Sequence, residues 1–152
     1  MTDRETLLAL ADRVEKATGP DRELDLELAV RVNYKGMFDD LTAIYQWGAG
    51  GDEIDCHYPP KNGKPSKGYL DPAQFCPRFS ASLDAAMTLV PEGWEPIIDC
   101  RRTVEVQLET IAVDPETLDP RKVYATAATP ALALCAAALR ALATLDPTGE
   151  KA

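Results

Sequence analysis

Residues 94–145, WEPIIDCRRTVEVQLETIAVDPETLDPRKVYATAATPALALCAAALRALATL, change their hydrophobic period once, and that change decides the fold. Trp94 to Cys100 reads as a strand. Thr103 to Val113 reads as another, with Val104, Val106 and Leu108 on one face and Glu105, Gln107 and Glu109 on the other. Arg101-Arg102 marks the tight connection between them. Asp114-Pro115 and Asp119-Pro120 are turn signals, after which Val123 to Ala127 is long enough for a third strand. The period then becomes helical. Thr129 is a cap and Pro130 takes the first helical position, where a missing N–H costs nothing. Leu132, Cys135, Leu139 and Leu142 form one stripe, and Leu134, Ala138, Ala141 and Leu145 a second. A helix apolar around most of its circumference, with alanines that admit close neighbours, is the central packing helix.

Upstream, Ser80 or Ser82 caps a short helix through Leu83, Ala86, Met87 and Val90, stopped by Pro91-Glu92-Gly93. Residues 3–17 place Leu7, Leu10, Ala11 and Val14 at helical spacing, with Thr2 or Asp3 as cap and Gly19-Pro20 as stop. Residues 22–32 fit two periods: Leu24, Leu28 and Val32 share a helical face, while Leu24, Leu26, Leu28, Val30 and Val32 alternate as in a strand. Asp21 as a cap and the charged first turn favour the helix. From Asn33 to Pro77 the pattern gives way to Gly48, Gly50, Gly51, Pro59, Pro60, Gly63, Pro65, Gly68 and Pro72. Tyr45, Trp47, Tyr58, Tyr69 and Phe75 in this stretch argue for order rather than a disordered linker. The expected architecture is α+β: a single domain, 1–152, with a three-stranded antiparallel sheet packed between helices and a long irregular insertion over 33–79.

The 152 residues carry 25 acids against 16 Lys and Arg, a net charge of -9, which opposes nucleic acid and anionic membrane as partners. Helix, three antiparallel strands, helix is also the order of double-stranded RNA-binding domains, but residues 92–119 carry eight acids against two bases and Thr129 to Leu145 contains only Arg140. Arg4, Glu5, Asp12 and Arg13 interrupt the first helix too often for the apolar core of a signal peptide, and Pro130 to Ala143 is shorter than the ~20 residues of a membrane span. Cytoplasmic location is expected. Cys56, Cys76, Cys100 and Cys135 form no C-x-x-C, and in a reducing compartment no disulfide is expected.

Three blocks, ATGPDRELD (Ala17 to Asp25), SASLDAAMTLVPEGW (Ser80 to Trp94) and AATPALALCAAALRA (Ala127 to Ala141), resemble the small phage and prophage proteins described as having a phage ABA sandwich domain. The resemblance covers roughly the first 30 and last 70 residues and leaves Asn33 to Phe79 unmatched. It implies an α/β/α sandwich encoded by a phage or prophage and acting in the bacterial host cytoplasm. It brings no catalytic or ligand residues with it.

The search for chemistry finds no enzyme. His57 adjoins Cys56, but neighbours in an extended chain point apart, and a nucleophilic pair needs its side chains about 3 Å from each other. Gaps of 20 and 24 residues from Cys56 to Cys76 and from Cys76 to Cys100 match no zinc spacing, so no metal and no cofactor are expected. Asp39, Asp40, Asp52, Glu53 and Asp55 flank a glycine run without an EF-hand pattern, and Trp47 to Glu53 lacks a phosphate-loop motif; a solvated acidic loop explains both. Tyr58 to Phe79 is the local exception: Lys61, Lys64, Lys67 and Arg78 face one carboxylate, Asp71, within an acidic chain. A solubilising loop explains these cations, and so does a ligand site. Lysines neutralise phosphates and aromatic rings stack on bases, so Tyr58, Lys61, Lys64, Lys67 and Tyr69 are the expected contacts of a small nucleotide-like ligand, with Arg101 or Arg102 joining across a homo-oligomer interface.

With the resemblance, this implies a non-enzymatic binding protein that counteracts host defence by sequestering a small nucleotide signal. The alternatives are an acidic inhibitor that mimics nucleic acid against a host defence protein, and a phage morphogenesis or regulatory protein.

Overall fold

The computed structural model describes residues 3–38, 40, 42–112, 115–116 and 120–145. The chain divides into two compact units, one of residues 1–21 and 78–152, the other of Arg22–Pro77. Among the described residues the fold is α+β, with two three-stranded antiparallel sheets and five α-helices.

In the first unit, α1 (Asp3–Lys16), α4 (Leu83–Met87) and α5 (Pro130–Leu145) accompany a meander of β4 (Trp94–Asp99), β5 (Val104–Thr110) and β6 (Lys122–Ala127). The alternation of β5 does what the period predicts. Val106 and Leu108 are fully buried and Glu105 is exposed. Trp94 and Ala125 join that buried face from the neighbouring strands. Helix α5 lies against β5 and β6, with every residue from Ala131 to Leu139 buried, and α1 packs on α5 through Leu7, Leu10, Ala11 and Val14. Seven alanines in α5 leave room for that contact at little cost in side-chain entropy. Helices therefore cover the Val106 face of the sheet. The opposite face carries Glu95, Ile97, Glu105, Lys122, Tyr124 and Thr126, all exposed.

Polar contacts fix the ends of these elements. The Arg140 guanidinium donates to both oxygens of Glu15 at 2.7 Å, to Asp12 at 2.8 Å and to the Tyr124 carbonyl at 2.9 Å, joining α5, α1 and β6. Ser82 caps α4 as expected, accepting from the Ala85 N–H. The Ser80 hydroxyl accepts from the Asp21 N–H at 2.8 Å and donates to the Asp21 carbonyl, closing the chain where the other unit departs.

The second unit corrects the expectation of irregular structure over 33–79. After α2 (Arg22–Arg31) and a 3-10 turn at Tyr34–Gly36, the chain forms β1 (Ile44–Trp47), β2 (Ile54–Lys61) and β3 (Lys64–Leu70) in that spatial order, then α3 (Pro72–Phe75). The glycines and prolines sit between and at the margins of strands rather than replacing them. Asn62 and Gly63, with φ of 53° and 75°, make a two-residue turn whose backbone twist suits a hairpin. Pro59 and Pro60 lack N–H donors, and there the pairing of β2 with β3 slips, between Tyr58 and Lys61. Pro65 is tolerated because β3 is an edge strand. Arg22 ties this unit together, donating to buried Asp25 at 2.9 Å and to the Cys76 carbonyl at 3.0 Å while lying 4.7 Å over the Trp47 ring. No helix among the described residues is long and apolar enough to cross a membrane.

Candidate functional site

The β2–β3 hairpin carries five of the seven residues expected to bind ligand, and its register sorts them onto two faces. Ile54, Cys56 and Tyr58 alternate with Asp55 and His57 along β2, and their β3 partners are Leu70, Gly68 and Ser66 on one face, Tyr69 and Lys67 on the other. Tyr58 and Tyr69 therefore point to opposite sides and cannot sandwich one ring. Lys61 and Lys64 pair directly across the hairpin end, both exposed. Arg101 and Arg102 belong to the other compact unit, in the β4–β5 turn. Arg101 is already engaged: Asp99 accepts from its Nε at 3.2 Å and its Nη2 at 2.9 Å, which holds the Asp99 carboxyl down at about 2.

The Lys67 face is internally satisfied with one exception. The Lys67 ammonium is 3.7 Å from Asp55 Oδ2 and 5.2 Å from the Tyr69 ring, and Tyr69 first, then Asp55, holds its proton more firmly than in a free lysine. Asp55 itself is only 8% exposed, and its Oδ1 is buried with no hydrogen-bond partner. Gly48 packs closely against it: a Cβ there would stand 3.3 Å from Asp55 Oδ1, a tight contact. Next along the face, Gln46 Nε2 lies 3.2 Å from His57 Nε2. Lys67 is thus committed to a carboxylate and a ring rather than held out for a phosphate.

The Tyr58 face differs. A cleft of about 630 Å³ opens along the slipped end of the hairpin, lined by Asp40, Thr42, Tyr58, Pro59, Pro60 and Lys61, with Ser66 across from Tyr58. The slip caused by the two prolines is what turns this segment away from regular pairing and makes the concavity. Asp40 spends its carboxylate locally, accepting from the Thr42 hydroxyl at 2.6 Å and the Thr42 N–H at 3.0 Å, and these bonds hold its proton affinity below the ordinary carboxylate range. Burial raises the Tyr58 phenol above its ordinary value, so it stays a neutral ring with a donor hydroxyl. An aromatic face, one exposed ammonium and two hydroxyls are a stacking and anion-contact set. A smaller cleft of about 380 Å³ between α2 and β1 is lined by Glu23, Glu27 and Asp40 against Arg31, an arrangement unfavourable to anions.

Cys56 and His57 lie on opposite faces of β2, and burial raises the Cys56 thiol above its ordinary value, away from a reactive thiolate. The four cysteines are free thiols, with Cys100 the exposed one. Among the described residues no group of three or more His, Cys, Asp or Glu is placed to hold a metal ion. Asp52 and Glu53 are exposed in the β1–β2 loop, and Asp39 lies outside the described residues.

Two features were missed in the sequence. The Asn62-Gly63 dipeptide is a hairpin signal, but it stands among so many glycines and prolines that the sequence there reads as loop. The open face of the first unit's sheet was also missed. There Glu95 stands directly opposite Glu109, and Asp99 opposite Glu105, around an exposed Ile97 and Tyr124. Like charges set directly across a sheet are destabilising. The acid positions were visible in the alternation, but their cross-strand register was not. Comparison with protein-family models, curated proteins and solved structures finds no match for this chain.

Proposed function

We propose that this chain is a non-enzymatic binding protein that holds a small nucleotide-like anion in the Tyr58–Lys61 cleft, and that it serves a phage by sequestering a nucleotide signal of host defence. The observation that carries the ligand class is the cleft itself: about 630 Å³, within the usual size of small-molecule sites, with the Tyr58 ring and the Lys61 ammonium on its wall. A base stacks on the ring, a phosphate meets the ammonium, and Thr42 and Ser66 supply hydroxyls to the sugar edge. The sequence resemblance supports the phage setting. The test is to incubate the purified chain with cyclic and ADP-ribose-type nucleotides, remove free ligand, denature, and identify what is released by mass spectrometry. One nucleotide recovered in stoichiometric amount, and lost in both Tyr58→Ala and Lys61→Ala, is the expected result. Recovery of none overturns the reading.

A second reading, an acidic inhibitor of a basic host defence protein, is favoured by the exposed carboxylates and opposed acid pairs of the β4–β5–β6 face. Its signature is a host partner captured at low salt, released as salt rises, and no longer captured by Glu95→Gln with Glu105→Gln.

A further inference from the structure

At the end of the first unit's sheet, the start of β4, the end of β5 and the approach to β6 enclose a second cleft, of about 580 Å³. Its placement follows from the turns. Gly93, at φ 88°, swings the chain into β4; its carbonyl accepts from the Ile111 N–H at 2.8 Å, and the Thr110 hydroxyl accepts from the Arg121 N–H at 2.9 Å. These bonds bring Trp94, Ile111 and Arg121 to one rim, with Leu145 at the end of α5 beside them.

Three properties of this rim are unusual together. Its apolar side chains are wet: Ile111 is 66% exposed and Leu145 41%, next to a Trp94 that is 6% exposed. Its cation has no carboxylate in ion-pair reach among the described residues: Arg22 and Arg101 each engage one and Arg140 two, whereas Arg121 engages none of them and lies 5.7 Å over the Trp94 ring. At that distance the indole face attracts the guanidinium and helps to hold it in place. And the walls offer little else that is polar: Glu92 and Thr110 lie among Gly93, Ala112 and Pro115.

We propose that this cleft binds a small molecule with an apolar body and a single carboxylate, the body covering Ile111, Leu145 and the edge of Trp94 and the carboxylate meeting the Arg121 guanidinium. One guanidinium matches one carboxylate in a two-pronged contact. Apolar walls favour a hydrocarbon body over a sugar. The site belongs to the first unit, and the proposal does not rest on the Tyr58–Lys61 cleft of the second.

The test uses the full chain, labelled with nitrogen-15, and octanoate, 1-octanol and octylammonium as probes. The Trp94 Nε1–H and Arg121 Nε–H signals, assigned from Trp47→Phe and Arg121→Gln, report the site. Octanoate is expected to shift both signals saturably, and the two uncharged or cationic probes to bind at least about tenfold more weakly. Arg121→Gln is expected to lose octanoate by the same factor. Ile111→Glu, at an exposed position that folding does not need, is expected to exclude it by repulsion. Equal binding of 1-octanol, undiminished binding by either variant, or octanoate shifts centred elsewhere would overturn the proposal.

Discussion

Asp55 and Arg140 show how single residues carry this structure. Asp55 is buried beside one lysine at 3.7 Å, with its second oxygen unpartnered, and burying a carboxylate without adequate pairing is costly. Lys67→Met is therefore expected to destabilise the second unit, and Asp55→Asn combined with it to restore most of the loss; urea unfolding followed by Trp47 fluorescence measures both. Arg140 is better paired. Removing it as Arg140→Ala strips Glu15 of its guanidinium and is expected to cost about 2 kcal/mol in urea unfolding of the first unit. The same contact gives a pH dependence. The Arg140 guanidinium, helped by the Thr126 N–H and opposed by burial, holds the Glu15 carboxyl below its ordinary 4.5. A lowered carboxyl contributes its full stabilisation above the ordinary value and loses it as pH falls through the folded one. Stability should thus decline on acidification below about 4.5, and Glu15→Gln should flatten that decline.

At the scale of elements, the first unit was legible because its periods are long and unbroken. Of the alternation read over residues 103–113, Val104–Thr110 is β5; the apolar run after Pro130 is α5, and Gly19-Pro20 ends α1 within a few residues of where expected. For residues 22–32 the charged first turn outweighed the strand-like alternation, and α2 is a helix. Sheet β1–β2–β3 was not legible, because β1 has four residues and Pro59, Pro60 and Pro65 interrupt the alternation of the hairpin strands. Only Asn62-Gly63 marked it. The site suffered for the same reason: without a register, Tyr58 and Tyr69 looked like neighbours in one loop, whereas pairing sends them to opposite faces. Register also predicts a gain. Glu95→Gln removes one member of a directly opposed acid pair and should raise stability by about 0.3 kcal/mol at low salt, an effect that fades as salt is added.

At the scale of the molecule, the two units share one chain in an uneven way. Residues 22–77 enter and leave near the Asp21 and Ser80 contacts, and α1, though distant in sequence from α5, is packed against it within the first unit. A chain in which 1–21 is joined to 78–152 by a short flexible linker is expected to fold and to unfold cooperatively, as read by calorimetry; a molten product would show that the first unit lacks a core of its own. The second unit then carries the function proposed for the protein, on a hairpin whose two prolines open a cleft beside an aromatic ring and a lysine. The measurement that tests this most directly is a nitrogen-15 NMR titration of the full chain with the nucleotide panel. The account predicts saturable shifts concentrated at Thr42, Tyr58, Lys61 and Ser66, absent in Tyr58→Ala. Shifts confined to Lys67 and Tyr69 on the opposite face, or no shift with any nucleotide, would contradict it.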